Sequence, residues 1–177
     1  HGAHPYGDKN RITKLCVGSL NIQNKARNMT HILAHLETAR VSICFASETG
    51  SHHDNMTQSM ANNYCFVPHD GRTNPRAGAG YGTGWIIPSD LQPKVRAFSP
   101  RGGSHPDVAW IKVDTFKDKQ QYIAIAGVYC PPRLVSKISE ILDHLSETWR
   151  SLKQSGCTGL IAAGDFNARS DSTTAEE

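Results

Sequence analysis

Leu15 and Val17 stand between smaller or polar neighbours over residues 13–20, and this period of two predicts a strand. Met29, Ile32, Leu33 and Leu36 then recur at i, i+3, i+4 and i+7, which is one face of an amphipathic helix. Residues 41–46 form an apolar run with β-branched members, long enough for a strand and too short for a helix. Strand, helix and strand in close succession predict a β-α-β crossover or its equivalent in a layered sheet.

Further along, residues 54–63 can form a short helix and 64–67 a strand. Glycine, proline and arginine crowd residues 69–84, which predicts a surface loop entering a strand at 85–87 that stops at Pro88. Two more strands are expected at 107–113 and 121–129, divided by Lys117-Asp118-Lys119. The second must stop at Cys130-Pro131-Pro132, because proline cannot donate to a sheet ladder. From Ser136 onward, Ile138, Ile141, Leu142, Leu145, Trp149 and Leu152 keep helical spacing until Gly156. A last strand at 159–163 runs into Gly164-Asp165-Phe166-Asn167-Ala168. The pattern fades at both ends, so one domain over 12–168 is expected between an unpatterned stretch, 1–11, and a tail, 169–177. Neither an internal repeat nor a linker interrupts it.

Composition narrows the class. The 177 residues are 38% hydrophobic, enough for a real core and outside the disordered regime. No stretch approaches the roughly 20 apolar residues of a membrane-spanning helix, and no signal peptide is visible at the start. The cysteines, Cys16, Cys44, Cys65, Cys130 and Cys157, form no C-x-x-C pair, which argues against a zinc ribbon or a thioredoxin-type site. Their scattered usage fits a reducing, intracellular setting. Two Asn-Met-Thr sequons, at Asn28 and Asn55, point the other way and carry little weight because such triplets are common by chance. The net charge of +3 lends only weak support to a polyanionic partner, as does the loose basic stretch Arg72, Arg76, Lys94, Arg96 and Arg101.

Several polar side chains stand at predicted strand ends: Asn21, Glu48, Tyr129, Asp165 and Asn167. Each has an ordinary explanation when taken singly: a helix cap, a solvated acid, an Asx turn. Strand ends of layered α/β folds gather on one rim, however, so the set together points to a site. Other candidates are weaker. Gly78-Ala79-Gly80-Tyr81-Gly82-Thr83-Gly84 leads into a strand rather than a helix and lacks G-K-[ST], so it is not a phosphate-binding loop. In His52-His53-Asp54, adjacent side chains diverge, which is poor geometry for a metal.

The segments Leu20-Asn21-Ile22-Gln23-Asn24, Ala46-Ser47-Glu48-Thr49, Gly127-Val128-Tyr129-Cys130-Pro131-Pro132 and Gly164-Asp165-Phe166-Asn167-Ala168 resemble, in order and spacing, the motifs of a known group. This is the endonuclease/exonuclease/phosphatase superfamily, which includes abasic-site endonucleases, DNase I and the endonuclease domains of non-LTR retrotransposons. The short interval between the first two motifs is most similar to the retrotransposon type. The resemblance implies an α/β fold, a two-layered β-sandwich flanked by helices and DNase I-like, truncated here on its C-terminal side. It implies Mg²⁺, with Mn²⁺ as a substitute, held by Glu48 with Asn21 close by. Gln23 stands where many relatives have an acid. Asp165 would orient or deprotonate the attacking water, and Asn167 and Tyr129 would donate hydrogen bonds toward the scissile phosphate. Arg133, just after the proline pair, is a candidate phosphate contact.

Relatives continue to a Ser-Asp-His motif, whereas here Ser170-Asp171 is followed by Ser172 and no histidine lies beyond Asp165. Losing a catalytic acid-base group typically costs about 10² to 10⁴ in rate, so the sequence as it stands predicts a poor or incomplete enzyme. The leading expectation is Mg²⁺-dependent phosphodiester hydrolysis on nucleic acid, with DNA favoured, by an incomplete endonuclease domain. Its partner would be a missing C-terminal segment or a second chain. A retrotransposon-type member would work in the nucleus. A small-molecule phosphoesterase and a catalytically silent module gripping nucleic acid or protein are the alternatives.

Overall fold

The computed structural model describes residues 14–23, 28–50, 63–69, 82–114 and 121–167. Along them run β1 (Val17–Asn21), α1 (Met29–Thr38), β2 (Ile43–Ser47), β3 (Tyr64–His69) and β4 (Thr83–Pro88). Then come β5 (Val95–Ala97), β6 (Val108–Asp114), β7 (Tyr122–Tyr129), α2 (Ile138–Lys153) and β8 (Cys157–Asp165). Short 3-10 turns occupy Gln92–Lys94 and Pro132–Lys137.

The crossover expected at the start is present: β1 and β2 pair in parallel from Val17↔Ile43 to Asn21↔Ser47, with α1 between them in sequence. Antiparallel β4 and β3 complete a sheet of order β1-β2-β4-β3. A second sheet, β5-β6-β7-β8, ends in the same device, since β7 and β8 are parallel and α2 connects them.

Alternation decides what each sheet face buries. Ile43, Phe45, Trp85 and Ile87 of the first sheet meet Ile111, Val113 and Ile125 of the second in an inter-sheet core. The opposite face of the first sheet, with Cys44, Ala46 and Ile86, packs on Met29, Leu33 and Leu36 of α1. Val108, Trp110, Ala124, Ala126 and Val128 of the second sheet pack on Ile141, Leu145 and Leu152 of α2. The order of layers is helix, sheet, sheet, helix, the expected two-layered sandwich flanked by helices. With both faces covered, all of Ile43–Ser47 is buried, which is why that strand reads as an unbroken apolar run.

Some expectations shift. The last strand is longer than 159–163, because its ladder with β7 continues to Tyr129↔Asp165. The short β5 carries no sequence signal, with only Val95 buried. Leu142 does not join the buried face of α2; it is 49% exposed, and Thr148 is buried instead. The expected helix at 54–63, most of the 69–84 loop and both terminal stretches lie outside the described residues, apart from residue 63 and the ends of that loop. Among the described residues no helix is long and apolar enough to cross a membrane. Cys44, Cys130 and Cys157 are buried free thiols, and burial pushes the Cys44 thiol up to about 12, which leaves it unreactive.

Candidate active site

Each sheet contributes its parallel pair to one rim. Asn21 ends β1 and Glu48 directly follows β2, while Tyr129 ends β7 and Asp165 ends β8. Two side-chain hydrogen bonds cross from one sheet to the other at this rim. The Tyr129 hydroxyl donates to Glu48 Oε1 at 3.0 Å, and Asn21 Nδ2 donates to Asp165 Oδ2 at 3.4 Å. Residues 81 and 144 positions apart in sequence thereby come together.

Local turn chemistry sets these side chains in place. Asp165 Oδ1 accepts the backbone N–H of Asn167 at 3.1 Å, and Asn21 Oδ1 accepts that of Gln23 at 3.0 Å, two Asx turns at corresponding strand ends. Gln23, Glu48 and Asn167 all take left-handed backbone, with φ of 51°, 53° and 47°. Asparagine tolerates this region; Gln and Glu do so at a cost, and such strain collects where a side chain must be aimed. Hydrogen bonds on both sides hold Glu48: Ile22 N–H to the Ser47 carbonyl at 2.9 Å, and Thr49 N–H to the Gly82 carbonyl at 3.0 Å. Asn167 Nδ2 donates to the Cys130 carbonyl at 2.8 Å, and Cys130 N–H donates to the Asp165 carbonyl at 2.9 Å, tying the two loops beyond β7 and β8. Gly164 is required by close approach, since a Cβ there would overlap the backbone of Val128.

The field at the rim is negative. Tyr129 is pushed above its ordinary range by burial first, then by its hydrogen bond to Glu48 and the charges of Glu48, Asp165 and Asp107. It therefore stays a neutral donor. Asp107 escaped the sequence reading. It lies just before β6, its carbonyl accepts the Tyr129 N–H at 3.0 Å, and its side chain is 6% exposed. Only the β6–β7 register brings it there.

The structure brings together Asn21, Glu48, Tyr129, Asp165 and Asn167. Tyr129, expected to face a phosphate, donates its hydroxyl hydrogen bond to Glu48, while one N–H of the Asn167 amide is committed to Cys130. Arg133 falls in the Pro132–Lys137 turn, and its side chain lies outside the described residues. Arg96 of the basic stretch pairs with Asp114, at the other end of the sheet from Tyr129.

Among the described residues, Glu48 Oε2 makes no hydrogen bond. The donors at the rim are carboxylate and amide oxygens, a hard set that fits a divalent ion keeping most of its water, as Mg²⁺ does. Among the described residues, no three His, Cys, Asp or Glu side chains are grouped to hold a metal ion.

No protein-family model matches this chain, and no curated protein does. Solved structures do. The AP endonuclease LMAP from Leishmania major is 17% identical with a TM-score of 0.63, over 85% of this chain and 54% of its own. A mannosyl-6-phosphatase from Bacteroides thetaiotaomicron is 15% identical at TM-score 0.59, over 90% and 68%. The endonuclease domain of TRAS1, a telomere-specific non-LTR retrotransposon, is 12% identical at TM-score 0.57, over 86% and 60%. This chain thus spans about half to two thirds of the length of the structures it matches. In layer order and in these likenesses, the chain has a DNase I-like fold.

Proposed function

We propose that this chain carries the catalytic rim of a Mg²⁺-dependent phosphodiesterase acting on nucleic acid, with DNA as the substrate and a retrotransposon-type endonuclease as the parent protein. The observation that carries the reading is the pair of cross-sheet hydrogen bonds joining Tyr129 to Glu48 and Asn21 to Asp165. Endonucleases of this fold act on nucleic acid by name, and the oxygen-rich rim suits the same chemistry.

Glu48 would hold the ion through Oε2 while Tyr129 fixes Oε1; Asn21, whose Oδ1 already accepts the Gln23 amide, has one lone pair left to offer. When bound, the ion neutralises phosphate charge and acidifies water. Asp165, pinned through both oxygens by Asn167 and Asn21, directs the attacking water at phosphorus and receives its proton, while the P–O bond to the leaving oxygen breaks and that oxygen takes a proton from solvent water. Asn167 retains one amide N–H for a phosphoryl oxygen. Arg133 is the proposed contact to a neighbouring phosphate.

The test is conversion of supercoiled plasmid to open circle with Mg²⁺, using the full protein that carries this chain. Glu48→Ala and Asp165→Ala should each slow nicking by about 10²-fold or more. Undiminished nicking in both variants contradicts the assignment. Turnover of a sugar phosphate with no action on plasmid would replace it with the small-phosphoester reading, for which the phosphatase likeness is the one specific support.

A further inference from the structure

α1 covers the side of the first sheet that faces away from the inter-sheet core, with Met29, Leu33 and Leu36 buried beneath it. Those three positions fix which way the rest of the helix faces. At roughly 100° per residue they leave His31 and His35 on the solvent side, and both are exposed. The two histidines stand four residues apart, so their Cβ atoms lie about 6 Å from each other on one face of the helix. Among the described residues neither imidazole has a hydrogen bond or an ion pair. His105 and His144 differ in this respect: His105 Nδ1 accepts the Asp107 N–H at 3.2 Å, and His144 Nε2 accepts the Trp110 indole N–H at 3.3 Å. Each ring of the α1 pair therefore keeps the lone pair of a neutral imidazole for a ligand from outside.

We infer that His31 and His35 form a second metal site, taking a borderline divalent transition metal of the Zn²⁺ class through one nitrogen of each imidazole, with water in the remaining positions. Spacing of i, i+4 on a helix is what lets two imidazoles reach one ion from the same face. Imidazole suits Zn²⁺, Cu²⁺ and Ni²⁺, whereas Mg²⁺ and Mn²⁺ prefer oxygen, so this pair and the oxygen-lined rim select different ions. The pair sits at the middle of α1 (Met29–Thr38), and an ion held there ties two successive turns together. It is bound only while those turns are helical, so binding stabilises the fold. The site is independent of the nuclease reading and shares no residue with the rim.

The probe is Zn²⁺, titrated into the full chain and followed through the imidazole ring resonances of His31 and His35. Both rings should shift together, with one dissociation constant common to the two. His31→Ala and His35→Ala should each weaken that binding about tenfold or more, because a chelate becomes a single contact. Unchanged melting of both variants without Zn²⁺ ensures that the loss is not unfolding, and the rise in melting temperature that Zn²⁺ gives the parent chain should shrink in each. The double variant His35→Ala/Thr38→His keeps two imidazoles on this side of α1 but parts them by ~10 Å along the axis, so it should bind as weakly as His35→Ala. Parent-like affinity in any of these variants, shifts confined to other histidines, or displacement of Zn²⁺ by excess Mg²⁺ would overturn the site. Plasmid nicking with Mg²⁺ should be the same in His31→Ala as in the parent chain, so failure of either proposal leaves the other standing.

Discussion

At Tyr129, burial and the neighbouring carboxylates of Glu48, Asp165 and Asp107 act in one direction, favouring the neutral phenol. A folded-state pKa above the unfolded value of about 10 contributes stability that is complete below pH ~10 and is lost as pH climbs through the raised value. In a tyrosinate absorbance titration, Tyr129 should therefore ionise in a late alkaline step, and Tyr129→Phe should abolish that step and flatten the alkaline decline in stability. A titration curve unchanged by Tyr129→Phe at its alkaline end would contradict this environment. The meeting of Asn21, Glu48, Asp165 and Asn167 at one rim was legible because each stands at a strand end, a position that a sequence displays. Asp107 was not, because an aspartate before a strand looks like any turn acid until antiparallel register sets it beside Tyr129.

At the scale of elements, α2 shows how far periodicity reaches. Ile141, Leu145 and Leu152 are buried against β6 and β7, whereas Leu142, one residue and about 100° around the helix from Ile141, stands at the edge of the contact. Leu145→Ala should cost about 2–5 kcal/mol in chemical denaturation, and Leu142→Ala no more than about 0.5. Equal costs would mean that α2 is rotated from the orientation described. Strands buried on both faces could be located from their apolar runs, but not their ends: β8 extends to Asp165 because β7 is there to pair with, and β5 exists because β6 offers it an edge. Pairing partners, not local propensity, set those limits.

For the molecule as a whole, the rim depends on the two sheets holding their separation. Phe45 is central to that spacing. Its ring lies 5.1 Å from that of Trp85 within its own sheet and packs on Gly127 of the other, where a Cβ would overlap it. Phe45→Ala should cost about 3–5 kcal/mol and weaken binding of a divalent ion at the rim, read by denaturation and by Mn²⁺ titration. Loss of stability with unchanged Mn²⁺ affinity would show that the rim does not need this core. The layered class was readable from alternating strands and helices, since one covered face per helix and two per strand leave few architectures. Which strand lies beside which was not, because Tyr129 and Glu48 meet through contacts 81 positions apart that no local window contains.

The central claim is that the Glu48 carboxylate holds one divalent ion at the rim where Asp165 of the other sheet directs the water. Anomalous scattering from crystals grown with Mn²⁺ tests it most directly. The account predicts a single strong peak on the Glu48 carboxylate at the rim shared with Asp165, absent in Glu48→Ala. A peak elsewhere on the molecule, or one that survives that substitution, would contradict it.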